Sequence, residues 1–333
     1  MSGTHQPLHA GLRRRVALGL LPGCLGLAVG RAAMAAPYNI RMVGSVDTRH
    51  SSLAAMERLR RTLEDVLRGR LAVTIDREGV PDDRTALDQV RKGQALMGWV
   101  RVAELTDLAP ELATLTVPFL FMDQAKVLSL LDRTTVGPLL NDQLRKHGLE
   151  PFAYFDGGAL RLAGATIPSL GQLQSRQITA RPGSLRQVAF EALGLKLQAG
   201  TLQPQRVTGD DLMELRTDDL VGIAAQGPQL ALAEPHAHDL VVVLANRDML
   251  GDQPLDIRET IRTKTSEVSA WQLGGADQTD AVVLAMLQQR GVTITAIPDA
   301  ERKDAHARVK DAVVRALQNA DRHILDTVLA YAD

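Results

Sequence analysis

Residues 115–187 read LTVPFLFMDQAKVLSLLDRTTVGPLLNDQLRKHGLEPFAYFDGGALRLAGATIPSLGQLQSRQITARPGSLRQ. An apolar segment carrying Pro118 leads into helical periodicity over 123–131 and 136–147, and Gly148 closes the second helix. Pro151 to Phe155 predicts a strand, Asp156-Gly157-Gly158 a break, and the residues around Arg161 a second strand. Ser169 to Leu173 predicts a helical turn, Gln177 to Ala180 a strand, and Ser184 to Leu193 a helix stopped by Gly194.

The same alternation extends outward. Strands are expected at Tyr38–Gly44, Leu71–Ile75 and Ala95–Val100, with helices at Ser51–Arg68 and Asp83–Lys92 between them. Further on, Asp210–Leu215 predicts a helix and Leu220–Ala225 a strand. Leu240–Ala245 (LVVVLA) is apolar throughout, as a central strand covered on both faces should be. A long helical region spans Asp256–Leu287, with a break at Gly274-Gly275 left open. Val292–Ile297 predicts a strand and Ala300–Leu329 a helix. Strands alternating with helices imply an α/β fold with a largely parallel, doubly wound sheet.

The chain has 333 residues, enough for two lobes with separate cores, and a net charge of -1 with 3% aromatics removes the case for nucleic-acid binding. One cysteine excludes an internal disulfide framework and any multi-cysteine metal site. Residues 1–35 read as a signal peptide: Arg13, Arg14 and Arg15 precede an apolar run, Val16–Gly30, and Ala33-Met34-Ala35 offers the small residues of a cleavage site. Periplasmic export follows, by the Sec or the twin-arginine route. A lipid anchor at Cys24 is the alternative processing.

The order of several elements resembles the periplasmic solute-binding proteins of TRAP-type transporters, the DctP family. Leu115–Phe121 resembles that family's LPFLF element. Val90–Val100 (VRKGQALMGWV), Gly148-Leu149, Asp156-Gly157-Gly158, Arg258–Ile261 and Gly291-Val292-Thr293 also fit its pattern. The resemblance implies a two-lobed fold with a ligand cleft between the lobes and a long helix near the C-terminus. Lobe I would comprise 36–155, lobe II 156–238, and the chain would return to lobe I over 239–333. The implied function is capture of a small organic acid, a carboxylate, for the membrane subunits of a TRAP-type transporter, with no cofactor. The alternative is a diverged periplasmic sensor or interaction module without a transport ligand.

Two arginines carry that expectation, because a planar guanidinium donates paired hydrogen bonds to a carboxylate and stays charged. The family's arginines lie in G-x-R and K-I-R-V patterns; here Leu160 and Ala180 hold those places, and Arg161 and Arg181 each follow one residue later. One residue changes the face of a strand, so either local bulges restore the direction or both grips are lost. The family's D-G pair corresponds to Val221-Gly222, and the segment between Gln226 and Leu240 is shorter than in the family. Arg181, Arg161, Arg101, Trp99, His50, Ser45 and Gln226 are the expected ligand contacts: Arg101, Trp99, His50 and Ser45 because open α/β sheets bind ligands beyond their strand ends, and Gln226 because its amide suits a polar ligand. His236 and His238 with Glu234 and Asp239 are the one cluster resembling metal ligation, without a third ligand elsewhere. No nucleophile elbow, phosphate loop or dinucleotide fingerprint appears, and no catalytic residue is expected.

Overall fold

A computed structural model describes residues 38–45, 51–76, 78, 80–200, 211–220 and 231–332. His50, Gln226, Val221-Gly222, Cys24 and the expected signal peptide lie outside the described residues.

The N-terminal part follows the sequence closely. Strands β1 (Tyr38–Gly44), β2 (Leu71–Asp76) and β3 (Met97–Arg101) are parallel neighbours, with helices α1 (Ser51–Leu67) and α2 (Asp83–Arg91) as crossovers. Asp82 caps α2 by accepting from the Thr85 amide at 2.7 Å. Pro110–Ala113 forms the one-turn helix α3, and α4 (Gln124–Arg133) and α5 (Val136–Lys146) follow. Between them, Pro118 precedes Phe119, whose φ of 61° is unusual for an aromatic residue. Its amide donates to the His236 carbonyl at 2.7 Å, and its ring stacks on the His236 imidazole at 4.9 Å. The apolar segment is thus bent at Phe119 and packed against His236.

The centre of the sheet departs from expectation. Leu149–Gly164 is one 16-residue strand, β4, and the glycine pair lies within it as a bulge. β4 pairs antiparallel with β9 (Ala237–Asn246), with register shifts between Pro151 and Ala153 and between Asp156 and Gly158. Gly158 takes a φ of 99°, open to glycine at little cost. β9 also pairs antiparallel with β3. Among the described residues the sheet has ten strands and is mixed: β1–β3 at one end and β5 (Gln177–Ala180), β6 (Lys196–Ala199) and β7 (Leu212–Arg216) at the other are parallel groups, joined by antiparallel β4 and β9. The sequence reading of a largely parallel sheet missed this joint because periodicity carries no strand direction.

β7 replaces the helix expected at 210–215. All five of its residues are buried between β4 and β5, and the acidic Asp210-Asp211 pair imitated a helix start. Short β8 (Ala231–Ala233) and β10 (Thr293–Thr295) complete the sheet. Helix α6 is Ser184–Ala192 and α7 Arg247–Gly251. The expected C-terminal helix is two, α9 (Asp299–Ala316) and α10 (Arg322–Ala330), because Asp321 caps a new start by accepting from the His323 and Ile324 amides.

The helix α8 (Leu255–Gln289) runs 35 residues without a break at Gly274-Gly275, about 50 Å at the usual rise. Its first half buries Ile257, Ile261 and Val268 with Leu59, Leu63, Trp99 and Phe155, and its far end buries Leu287 with Leu215 and Leu232. At mid-length its side chains grip the central strand. Gln272 accepts from the Asp156 amide and donates to the Asp156 carbonyl, both at 2.9 Å, and Ser269 donates to the Tyr154 carbonyl. These bonds pair backbone groups that the bulge would otherwise leave buried and unmet. On the opposite face lies the largest cluster, with Leu115, Phe119, Leu130, Leu162 and Phe190. β9 feeds both faces, Leu240, Val242 and Leu244 one way and Val241, Val243 and Ala245 the other, as its unbroken apolar run predicts.

The glycine at 157 is required by a close approach. A Cβ there would lie 2.6 Å from the Asp239 Cβ and 2.7 Å from its carbonyl carbon. Gly157→Ala should lower the stability by about 1–3 kcal/mol through this overpacking, read from the urea midpoint. An unchanged midpoint would show that β4 and β9 separate freely at the bulge.

Candidate functional site

At the bulge where β9 pairs with β4, Asp239 is fully buried, and neither carboxylate oxygen has a hydrogen-bond partner among the described residues. Three guanidinium groups surround it. Arg186 Nη2 stands 3.7 Å from Oδ1, and Arg181 Nη1 and Arg101 Nη1 stand 3.9 Å and 4.0 Å from Oδ2. They converge from separate places: Arg101 ends β3, Arg181 follows β5, and Arg186 lies in the first turn of α6.

Each arginine also has a second acidic partner. Arg101 donates to Asp83 through Nε and to Glu104 at 3.2 Å. Arg181 donates to Asp219 at 3.1 Å, which Arg216 shares at the same distance. Arg186 donates to Glu214, whose other oxygen lies 3.0 Å from His236 Nε2. Four arginines therefore face five carboxylates in a largely buried cluster. Charges out of water need this dense pairing, since desolvation of each ion costs several kcal/mol, roughly, and one lost partner strands the other.

Burial pushes the Glu214 carboxyl up, but the Arg186 charge and the His236 hydrogen bond outweigh it and hold the group at about 2. Burial likewise opposes the ionised form of Asp219, and Arg216 and Arg181 together bring its carboxyl below the ordinary value. Burial wins at Glu104, whose carboxyl is raised despite Arg101. For Arg101 burial disfavours the charge, yet Asp83 and Asp239 more than compensate and raise its pKa. Beside Arg186 and Gly183 a cavity of about 10 Å³, lined also by Thr106, Thr116 and Leu185, has room for about one water.

The structure brings together three of the residues expected from sequence. Arg181 and Arg101 join the cluster, and Ser45 donates to Asp83 at its edge. Arg181 reaches Asp239 because it lies beyond Ala180, the last paired residue of β5, where strand alternation no longer sets its direction. Arg161 goes elsewhere despite the β4 bulge. Its guanidinium is buried against α8 and donates to Thr217 at 3.1 Å, the Ala233 carbonyl at 3.3 Å and Asp280 at 3.0 Å. Trp99 packs in the core, 4.8 Å from the Phe155 ring, and its indole N–H has no hydrogen-bond partner among the described residues. Arg186, Glu214 and Asp239 were not among the expected contacts. The polar side chains of Glu214 and Asp239 inside or beside apolar strand runs were the available signal.

A mixed sheet whose two parallel ends are joined by long antiparallel strands, braced by one long helix, is the fold seen in solved TRAP periplasmic solute-binding proteins. Solved structures share this fold. A TRAP periplasmic solute binding protein from Ochrobactrum anthropi, with its C-terminus bound in the ligand binding pocket, superposes with a TM-score of 0.79 at 17% identity, covering 89% of this chain and 95% of that one. The sugar acid binding protein of Advenella mimigardefordensis in complex with galactonate gives 0.78 at 19% identity, over 89% and 98%. The Ralstonia eutropha protein with bound (S)-2-acetolactate gives 0.78 at 16% identity, over 88% and 98%. The model of the family described as bacterial extracellular solute-binding protein, family 7 (DctP), matches residues 42–201, just under half of the chain. No curated protein sequence matches the chain.

The lowered carboxyls fix a pH dependence. A carboxylate held below its unfolded value stabilises the fold above that value and loses its contribution as pH falls through the folded one. For Glu214 the window runs from the ordinary 4.5 down to about 2. Across it the urea midpoint should fall in the native protein and fall less steeply in Glu214→Gln. Equal slopes would mean that Glu214 titrates alike in both states.

Proposed function

We propose that the protein is exported to the periplasm and captures a small organic acid there, delivering it to the membrane subunits of a TRAP-type transporter. One observation carries the reading: Arg101, Arg181 and Arg186 converge from both ends of the sheet on a single carboxylate-sized position. Guanidinium groups in a water-poor setting bind carboxylates because the ligand exchanges hydration for charged hydrogen bonds. Family relatives hold acids of this kind, galactonate, (S)-2-acetolactate and, in a Sulfurospirillum deleyianum protein, succinate.

In this reading residues 1–35 are a cleaved signal peptide, 36–155 and 239–333 form lobe I, and 156–238 form lobe II. Arg101 then belongs to one lobe and Arg181 and Arg186 to the other, so hinge closure assembles the grip. Ser45, His50 and Gln226 are proposed as further ligand contacts, while Trp99 packs in the core and Arg161 serves as a brace between β4 and α8. Binding breaks no covalent bond, and no catalytic role is assigned.

A second reading rests on a different feature of the same cluster. The arginine charges are already met by Asp83, Glu104, Glu214, Asp219 and Asp239, which suits a diverged sensor or interaction module that takes no transport ligand.

A thermal-shift screen over monocarboxylates, dicarboxylates, oxoacids and sugar acids separates the two. A ligand at a hundred times its Kd adds about 2.7 kcal/mol to stability, an easily read rise in melting temperature. Arg181→Ala should abolish that rise, and a rise that persists in the variant removes Arg181 from the site. Silence across all four acid classes favours the module.

A further inference from the structure

Asp239 is an unusual buried acid. An aspartate in a structural ion pair ordinarily accepts short, directed bonds, often two at once from one guanidinium. Here the three nearest guanidinium nitrogens stand 3.7–4.0 Å away, and neither oxygen accepts a hydrogen bond among the described residues. Charge alone holds it. Each of the three arginines makes its closer contacts to other carboxylates, Asp83, Asp219 and Glu214. The position is nonetheless fixed by the backbone, because the Gly157 bulge seats the Asp239 main chain directly against β4.

From this arrangement we propose that Asp239 is a tethered competitor: in the unliganded protein the chain's own carboxylate holds the three arginines, and an incoming acid group binds only as Asp239 gives them up. The proposal rests on the organic-acid reading of the site and adds what sets its affinity. An intramolecular carboxylate has a high effective concentration, so it lowers the apparent affinity for every free acid. It also holds Arg101 from one end of the sheet near Arg181 and Arg186 from the other without any ligand. A group bonded so loosely is exchangeable, where a bidentate ion pair would resist exchange.

Asp239→Asn keeps the shape and removes the charge. The probe is formate, compared with chloride at matched ionic strength. Asp239→Asn should gain about 3 °C or more in melting temperature from formate, and the native protein should gain nothing comparable. Equal responses of the two proteins, or no response of the variant, overturn the proposal. Should the single variant fail to fold, Asp239→Asn with Arg181→Gln restores the charge balance and is expected to fold. A double variant no more stable than the single one also overturns it. Formate is too small to stand for a transported solute. A formate response in Asp239→Asn, with neither protein responding to the larger acids, therefore counts against the organic-acid reading and not against Asp239 as occupant of the arginines.

Discussion

The arrangement at the centre of this protein depends on keeping like charges apart from water and from one another. Arg101, Arg181 and Arg186 meet around Asp239, and three guanidinium groups so close together in a buried place repel unless carboxylates stand between them. Asp83, Glu104, Glu214 and Asp219 take the outer positions and Asp239 the inner one. The elements that deliver these groups, β3, α2, β5, α6, β7 and β9, are set by that balance as much as by apolar packing.

The sheet supplies the geometry. β9 borders one parallel end and β4 the other, and their bulge at Asp156–Gly158 brings two backbones closer than any side chain at 157 would allow. Gln272 and Ser269 of α8 pair the strand's exposed main-chain groups, so the bulge is buried without orphaned amides. On the other face, the left-handed turn at Phe119 presses an aromatic ring on His236, which in turn holds Glu214. Fold and charge cluster are one construction.

Much of the fold was legible because periodicity marks existence and type of an element. β1, β2, α1, α2, α4, α5 and the apolar β9 lie where the pattern predicts. What failed was punctuation. Gly157-Gly158 read as a break, since glycine pairs usually end strands, whereas here they form a bulge within one. Asp210-Asp211 read as a helix start before a buried strand, and Asp321 restarts a helix that composition alone would continue. The site was half legible. Arg101 and Arg181 stand at strand ends, where a ligand reading naturally looks. Arg186 lies in a helix, Glu214 in a strand mistaken for one, and Asp239 reads as a flank of a histidine pair. Their convergence depends on contacts between residues up to 138 positions apart, Arg101 to Asp239, which no local pattern encodes.

The central claim, that the chain's own acid occupies its arginine grip, is tested most directly by a crystal structure of the ligand-free protein. The account predicts the Asp239 carboxylate enclosed by Arg101, Arg181 and Arg186, shielded from solvent, with no ion between them. Asp239 turned away, with a buffer anion or open water among the three arginines, would contradict it.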